Sequence, residues 1–577
     1  MKKTMLFSVA LAGLMLGSCS SSDDLGSGGT SESKNGNGYV AFTINLPSQP
    51  SSRAGSFNDD YKDGKAAEYK VNNATILLFS GTDEATANFV AAYKLGTEPW
   101  SAPAGDGNNV TTTSKKVVQK VTKSIDNAKA LVILNNNDVF TVDEATAGIK
   151  FDGTAFTGTY TDFLKKSGAT SGKTLTSDGF YMANAPLCNK QGDTVDPTSA
   201  AKVTTLTDLT GKIYETEAAA IEGEAAQVYV ERAVAKVTLD KGSVSETTNG
   251  TITKVPFEVT GWAIDNYNPT TYLVRSAEGF GDWKSLASKG LSARQYRFVG
   301  GTAVAANLYR TYFAKDMNYN TDAKSVLQRA SSFATAFGDD NPQYCFENTF
   351  DVAHQNEDQT TLVTIKAKLN SGADFYIVGG DQTKLYTKKE LENLVKNKFI
   401  SNEESWIKAN TKPGETVGAD ENDITVTFDK DEAGSIALKK IKVADSKLID
   451  SPSALPSDYL KDVSAAVGSI VYYKNGESYY TVRIKHFGDD LTPWKNGELS
   501  VGPGKVYPTT DQAANWLGRY GVLRNNWYDI EVTGVKGLGS ATVPTLSNTT
   551  DDELDSYIAV QINVLSWAKR TQSTVLH

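Results

Sequence analysis

Histidine and cysteine are the scarcest reactive residues in this chain of 577 residues, at three each. The histidines, His354, His486 and His577, give a catalytic triad or a zinc site few candidates, and no HExxH stretch occurs. Neither Cys188 nor Cys345 has a CxxC neighbour, so thiolate metal chemistry has no foothold. The run SGKT at 171–174 lacks the earlier glycine of a phosphate-binding loop, because Ser167 stands there. DDYKDGK at 59–65 lacks the closing glutamate of a calcium loop, a place taken by Lys70. Paired carboxylates such as Glu403 and Glu404 recur in any acidic β protein and single out no acid and base. With no catalytic, cofactor-binding or metal-binding constellation, the chain reads as a non-enzyme that needs no cofactor.

Basic charge is also in deficit. A net charge of -10 and a pI near 5.2 argue against nucleic acid or an anionic membrane surface as partner, since both need concentrated Lys and Arg, and point instead to solubility. Long apolar runs are missing too. The only one, from Met5 to Leu16 behind Lys2 and Lys3, is too short to span a bilayer and suits a secretory signal over 1–18. It ends in LGSC, with Leu16 three residues ahead of Cys19 and small residues between, a pattern similar to a bacterial lipoprotein processing box. Cys19 would then carry lipid, the alternative being a free thiol beside an ordinary cleavage site. The Ser-, Gly- and acid-rich stretch that follows has too little apolar content to fold and reads as a tether. Cys188 and Cys345 lie far apart and read as two buried free thiols in preference to one disulfide.

What the chain does contain is β-sequence. Hydrophobic residues make up 40% and aromatics 10%, enough for ordinary buried cores. Short runs such as VNNATILLF, KALVILNN, GFYMANAPL and VYVERAVAKVTL alternate with Gly- and Asn-rich joints, as they do in all-β sandwiches. A second series runs from KVPFEVTGWAIDNYNPTTYLVR, read as two strands about an Asn and Pro turn, to WYDIEVTGVKGLG. The count predicts two β-sandwich domains in series, 54–245 and 246–555, joined where KGSVSETTNG breaks the pattern. The charges of VYVERAVAKV read most simply as a solvated edge. Helices are few. Thr387 and Glu390 form a capping-box pair ahead of Leu391, Leu394 and Val395, and a second short helix is predicted over 458–467. The tryptophans Trp262, Trp283, Trp494, Trp516 and Trp527 read mainly as core, with a glycan-binding platform as the alternative.

One repetition stands out. Residues 39–47 read YVAFTINLP and residues 557–567 read YIAVQINVLSW, so that Tyr39, Ala41, Ile44 and Asn45 recur as Tyr557, Ala559, Ile562 and Asn563. Period-two alternation puts Val40, Phe42, Ile44 and Leu46 on one face of a strand, and Ile558, Val560, Ile562 and Val564 on one face of another. Two segments of the same pattern could fill the same groove, and the copy at the far end of the chain could fill it in a neighbouring molecule. The alternative is chance, because strands draw on few residue types. Between 39–46 and the next strands lies LPSQPSSRAGSFNDD, where Pro47 and Pro50 forbid regular pairing and the backbone is kept exposed. Arg53 is the only basic residue between Lys34 and Lys62. A protease that cuts after arginine would part Arg53 from Ala54 and release both lipid and first strand; the alternative is an ordinary solvated arginine.

GVLRNNWYDIEVTGVKGLG at 521–539, with VYVERAVAKV, GWAIDNYNPTTYLVR and YCFENTF, resembles the fimbrilin family of the Bacteroidales, the shaft subunits of type V pili. The stretch 400–443 matches least and reads as surface decoration. The resemblance implies an all-β fold of two transthyretin-like sandwiches with a few short helices. It also implies a lipoprotein precursor carrying palmitate at Cys19, held at the outer membrane by a propeptide over 19–53. A trypsin-like, Arg-specific protease would cut between Arg53 and Ala54, displacing the strand of Val40, Phe42, Ile44 and Leu46. Copies would then join through a donor at 556–577 bearing Ile558, Val560, Ile562 and Val564, with the tail after Trp567 as the other candidate donor. Partners implied are copies of the chain itself, fimbrial anchor and tip proteins, and host proteins or glycans, in a cell-surface fimbrium that serves adhesion or biofilm formation. The competing reading is a monomeric surface lipoprotein, or a tip or anchor subunit, that binds glycan or host protein.

Overall fold

The computed structural model describes residues 37–45, 65–95, 114–122, 125–166, 179–188, 203–247, 254–279, 299–305, 308–311, 314–319, 327–350, 354, 356–484, 521–547, 558–560, 563–566 and 568–576. The fold is all-β, with several sheets and a few short helices.

The N-terminal sheet runs in the order Asn88–Leu95, Ala74–Ser80, Ala128–Leu134, Met182–Asn184, Ala226–Arg232, Asn37–Asn45, Ser114–Thr122. Its central strands are apolar on both faces, because both are covered. Ile76, Leu78, Val132 and Leu134 face a core shared with Val228 and Val230. Leu77, Phe79, Leu131 and Ile133 face the opposite core, where Phe89, Phe156 and Phe163 meet edge to face.

The C-terminal half is a sandwich. One sheet places Ala235–Asp240 between Gln343–Cys345 and the long strand Asn526–Val535, and the other places Leu362–Leu369 between Phe257–Asp265 and Glu477–Arg483. Val237, Leu239, Ile530 and Val532 from the first meet Val259, Trp262, Ile365 and Val482 from the second in one core. Trp262 and Trp527 are both buried core residues; Trp283, Trp494 and Trp516 lie outside the described residues.

Three sequence expectations give way. The turn after Phe257–Asp265 does not lead into a second strand. Instead Leu273 and Val274 are buried in the N-terminal core, so this piece of the second half packs onto the first. Nor is 400–443 plain surface. With the helices Lys388–Asn402, Glu404–Asn410 and Tyr459–Val467 and the hairpin Ile424–Phe428/Leu438–Val443, it closes a core of its own against Tyr376, Val378 and Ile470. Finally, the chain crosses from the N-terminal sheet to the C-terminal sheet at Ala233 and Val234, ahead of the predicted 240–250 break. The run from Ala226 to Asp240 is one apolar sequence pattern, and its two halves belong to different sheets.

Candidate functional site

The first strand, Asn37–Asn45, is an interior strand. It pairs along its whole length with Ser114–Thr122, antiparallel, and on its other side lies parallel to Ala226–Arg232, with Phe42 opposite Ala226 and Ile44 opposite Val228. Tyr39 exchanges backbone hydrogen bonds with Tyr214, at 2.7 and 2.8 Å. Val40, Phe42 and Ile44 have no exposed surface and share a core with Met182, Leu209 and Val228. Leu46, Arg53, Ala54 and Cys19 lie outside the described residues. Removing this strand would open a groove between two strand edges, floored by apolar side chains, with both edges offering unpaired N–H and C=O groups.

At the far end of the chain, the copied sequence is divided. Ile558 and Val560 fall in the strand Ile558–Val560 and Val564 in Asn563–Ser566, while Ile562 lies outside the described residues. Both short strands pair antiparallel with the tail strand Ala568–Leu576, which itself runs parallel to Asn526–Val535. The tail, the other candidate donor, forms the longest of the three.

Between the two halves lies a set of buried charges that sequence reasoning misplaced. Glu231, Arg232 and Lys236, read as a solvated edge, are 3%, 1% and 1% exposed. Each sits at the seam with a partner of opposite charge or a carbonyl within reach, which is what burial of charge demands. Arg275 Nη2 meets Glu231 Oε2 at 2.9 Å. Arg232 donates from Nε to the Glu68 carbonyl at 2.7 Å and from Nη1 to Asn525 Oδ1 at 3.1 Å. Lys236 Nζ meets Glu68 Oε1 at 2.8 Å and lies 3.7 Å from the centre of a Trp527 ring. Arg524 completes the set, with Nη2 at 2.8 Å from both Glu347 Oε1 and Thr271 Oγ1. Burial raises the Glu68 carboxyl, but Lys236, the Tyr344 hydroxyl and Arg232 outweigh it, so its pKa ends below the ordinary value. The signal was present in VYVERAVAKV and RNNW, yet period two says only which residues share a face, not what covers that face.

Two other buried groups bear on chemistry. Cys345 is a buried free thiol, and burial pushes it up to about 12, far from a reactive thiolate. Burial also raises Asp316 to about 7, with Glu347 nearby adding to the effect against hydrogen bonds from Thr349, Asn318 and Asn268. Among the described residues no group of His, Cys, Asp and Glu is arranged to hold a metal ion, and no helix is long and apolar enough to cross a membrane.

Residues 471–573, which include the long strand Asn526–Val535, match the family model described as major fimbrial subunit protein type IV, fimbrillin, C-terminal. No curated protein matches the chain. Among solved structures, a fimbrilin from Porphyromonas gingivalis is 13% identical over 93% of this chain and 97% of that one, with a TM-score of 0.34. A cell-adhesion candidate from Parabacteroides distasonis is 11% identical over 94% and 99%, with a TM-score of 0.33. A tip fimbrial protein from P. gingivalis is 12% identical over 57% and 77%, with a TM-score of 0.24. Likenesses this loose carry no argument, whereas the family match falls on the same stretch, 521–539, that carries the sequence resemblance most specifically. The chain is therefore similar, over 471–573, to the C-terminal part of the fimbrillins, consistent with a Bacteroidales fimbrilin.

Proposed function

We propose that this fimbrial protein is the polymerising shaft subunit of a surface fimbria. It is exported as a lipoprotein through Cys19, cut between Arg53 and Ala54 by an Arg-specific protease, and assembled by donor-strand exchange. The C-terminal segment 556–577 of one copy then occupies the groove left by the first strand of the next. The mature subunit begins at Ala54 and comprises an N-terminal and a C-terminal domain, with the chain passing between their sheets at Ala233 and Val234, and its partners are copies of itself and the anchor and tip subunits of the fimbria.

The observation that carries this reading is the position of the first strand. Val40, Phe42 and Ile44 are fully buried between two strands of the N-terminal sheet, and the Arg53 loop follows directly in sequence. While the loop is intact, the tether keeps the local concentration of the strand high and the groove filled. A cut ends that advantage and leaves an apolar groove without an occupant. Four apolar donor side chains, Ile558, Val560, Ile562 and Val564, would contribute roughly 1.5 to 3 kcal/mol each on full burial, a gross ~6 to 12 kcal/mol before association costs.

Two variants test it. Cells carrying Arg53→Ala should show uncut, monomeric precursor and no fibres by electron microscopy. Ile562→Asp should yield processed protein that stays monomeric on gels run in mild detergent, where wild type forms ladders. Normal fibres from Ile562→Asp would refute this donor. Cut wild-type protein that remains monomeric would favour the surface-lipoprotein, tip or anchor readings.

A further inference from the structure

The segment just downstream of the Arg53 loop, Ala66–Tyr69, ends in the seam between the two halves. Glu68 is 1% exposed there, on a chain segment that belongs to neither flanking sheet. Its carboxylate is held from the C-terminal half by Lys236 Nζ at 2.8 Å and by the Tyr344 hydroxyl at 2.5 Å. Its backbone carbonyl is held from the N-terminal half by Arg232 Nε at 2.7 Å. Lys65 N donates to the second carboxylate oxygen at 2.8 Å, which fixes the turn itself. Two residues on, the Lys70 carbonyl accepts from Asn135 Nδ2 at 2.7 Å, at the end of a central strand of the N-terminal sheet. Arg232 in turn reaches Asn525, whose N–H donates to the Val234 carbonyl at 2.7 Å.

We infer that Glu68 is a strut: a positioning residue that fastens the downstream side of the Arg53 loop to both halves at once and locks them into one rigid body. The geometry makes the two sides of the loop unequal. Upstream, a strand is held mainly by apolar contacts and ladder hydrogen bonds along one sheet. Downstream, the chain is pinned by a buried ion pair on one side and a charge-assisted hydrogen bond to its backbone on the other. A break in the loop would leave the strut in place, so loss of the first strand would not loosen the seam. This inference does not depend on strand exchange, because the strut exists in the uncut chain.

Hydrogen exchange on the uncut, full-length protein tests it. Glu68→Gln keeps the shape but removes the charge that the buried Lys236 ammonium meets at 2.8 Å, an unfavourable change. The amide of Asn525, which donates to the Val234 carbonyl, should then exchange about tenfold faster or more, while those of Ala74–Ser80 stay unchanged. Adding Lys236→Met removes the ammonium as well and leaves the strut without its ion pair, so the seam should stay open. Val132→Ala, a cavity in the N-terminal core, is the control and should loosen Ala74–Ser80 before Asn525. Unchanged exchange at Asn525 in Glu68→Gln, protection restored in the double variant, or a control with the same seam pattern would each overturn the strut. Should Glu68→Gln fail to fold, Tyr344→Phe, which removes one hydroxyl, gives the same readout with a smaller effect.

Discussion

Asp316 shows how much a single position can depend on its surroundings. Nothing in the local sequence separates it from the other aspartates, yet burial lifts its carboxyl from 3.8 to about 7. A carboxyl raised in the folded state favours folding fully below its unfolded pKa and loses that contribution as pH rises through about 7. Unfolding free energy from urea titrations should therefore fall between about pH 4 and about pH 7, and Asp316→Asn should flatten that part of the profile. Parallel profiles for the two proteins would show that Asp316 is ionised throughout. At the same scale, some residues are plain from sequence. Thr387 accepts from the Glu390 N–H at 3.3 Å, and the Glu390 carboxylate accepts from the Thr387 N–H at 2.8 Å, as their spacing predicts, because a capping box involves only neighbours within one turn. Glu231, Arg232 and Lys236 were not plain. Their partners Arg275, Glu68 and Asn525 come from remote parts of the chain.

Among elements, strands were the most legible. Ala74–Ser80, Ala128–Leu134, Leu362–Leu369 and Asn526–Val535 all fall within apolar runs bounded by turn residues. Element expectations failed where burial came from another part of the fold, as at Leu273 and Val274, or where a long pattern divided between sheets, as at Ala226–Arg232 and Ala235–Asp240. The C-terminal segment poses a question at this scale. If 556–567 is the donor, a chain ending at Trp567 should still polymerise after cleavage and one ending at Asp555 should not. Negative-stain microscopy of the two truncations separates the cases, since loss of fibres at Trp567 would pass the role to the tail strand Ala568–Leu576. The parallel pairing of that tail with Asn526–Val535 makes the second outcome a real competitor.

The whole molecule is bound together by its seam. Lys236 with Glu68, Arg275 with Glu231 and Arg524 with Glu347 are all buried pairs, and Leu273 and Val274 carry the second half into the core of the first. Breaking a buried pair by removing one member costs about 3–5 kcal/mol, mostly from the charge left behind. Arg232→Met, which takes away the cation that bridges Glu68 and Asn525, should therefore split a single calorimetric transition into two, one for each half. A single transition, shifted but undivided, would mean that the apolar contacts alone couple them. Sequence by itself determined the strand-rich class, the capping box and the family resemblance. Each of these depends on alternation, composition or near neighbours along the chain. Only the tertiary structure decided where the first strand lies, which charges are buried, and that the halves meet across Glu68. Those facts depend on which distant surfaces come together, and a periodic pattern specifies that a face is apolar without naming what will cover it.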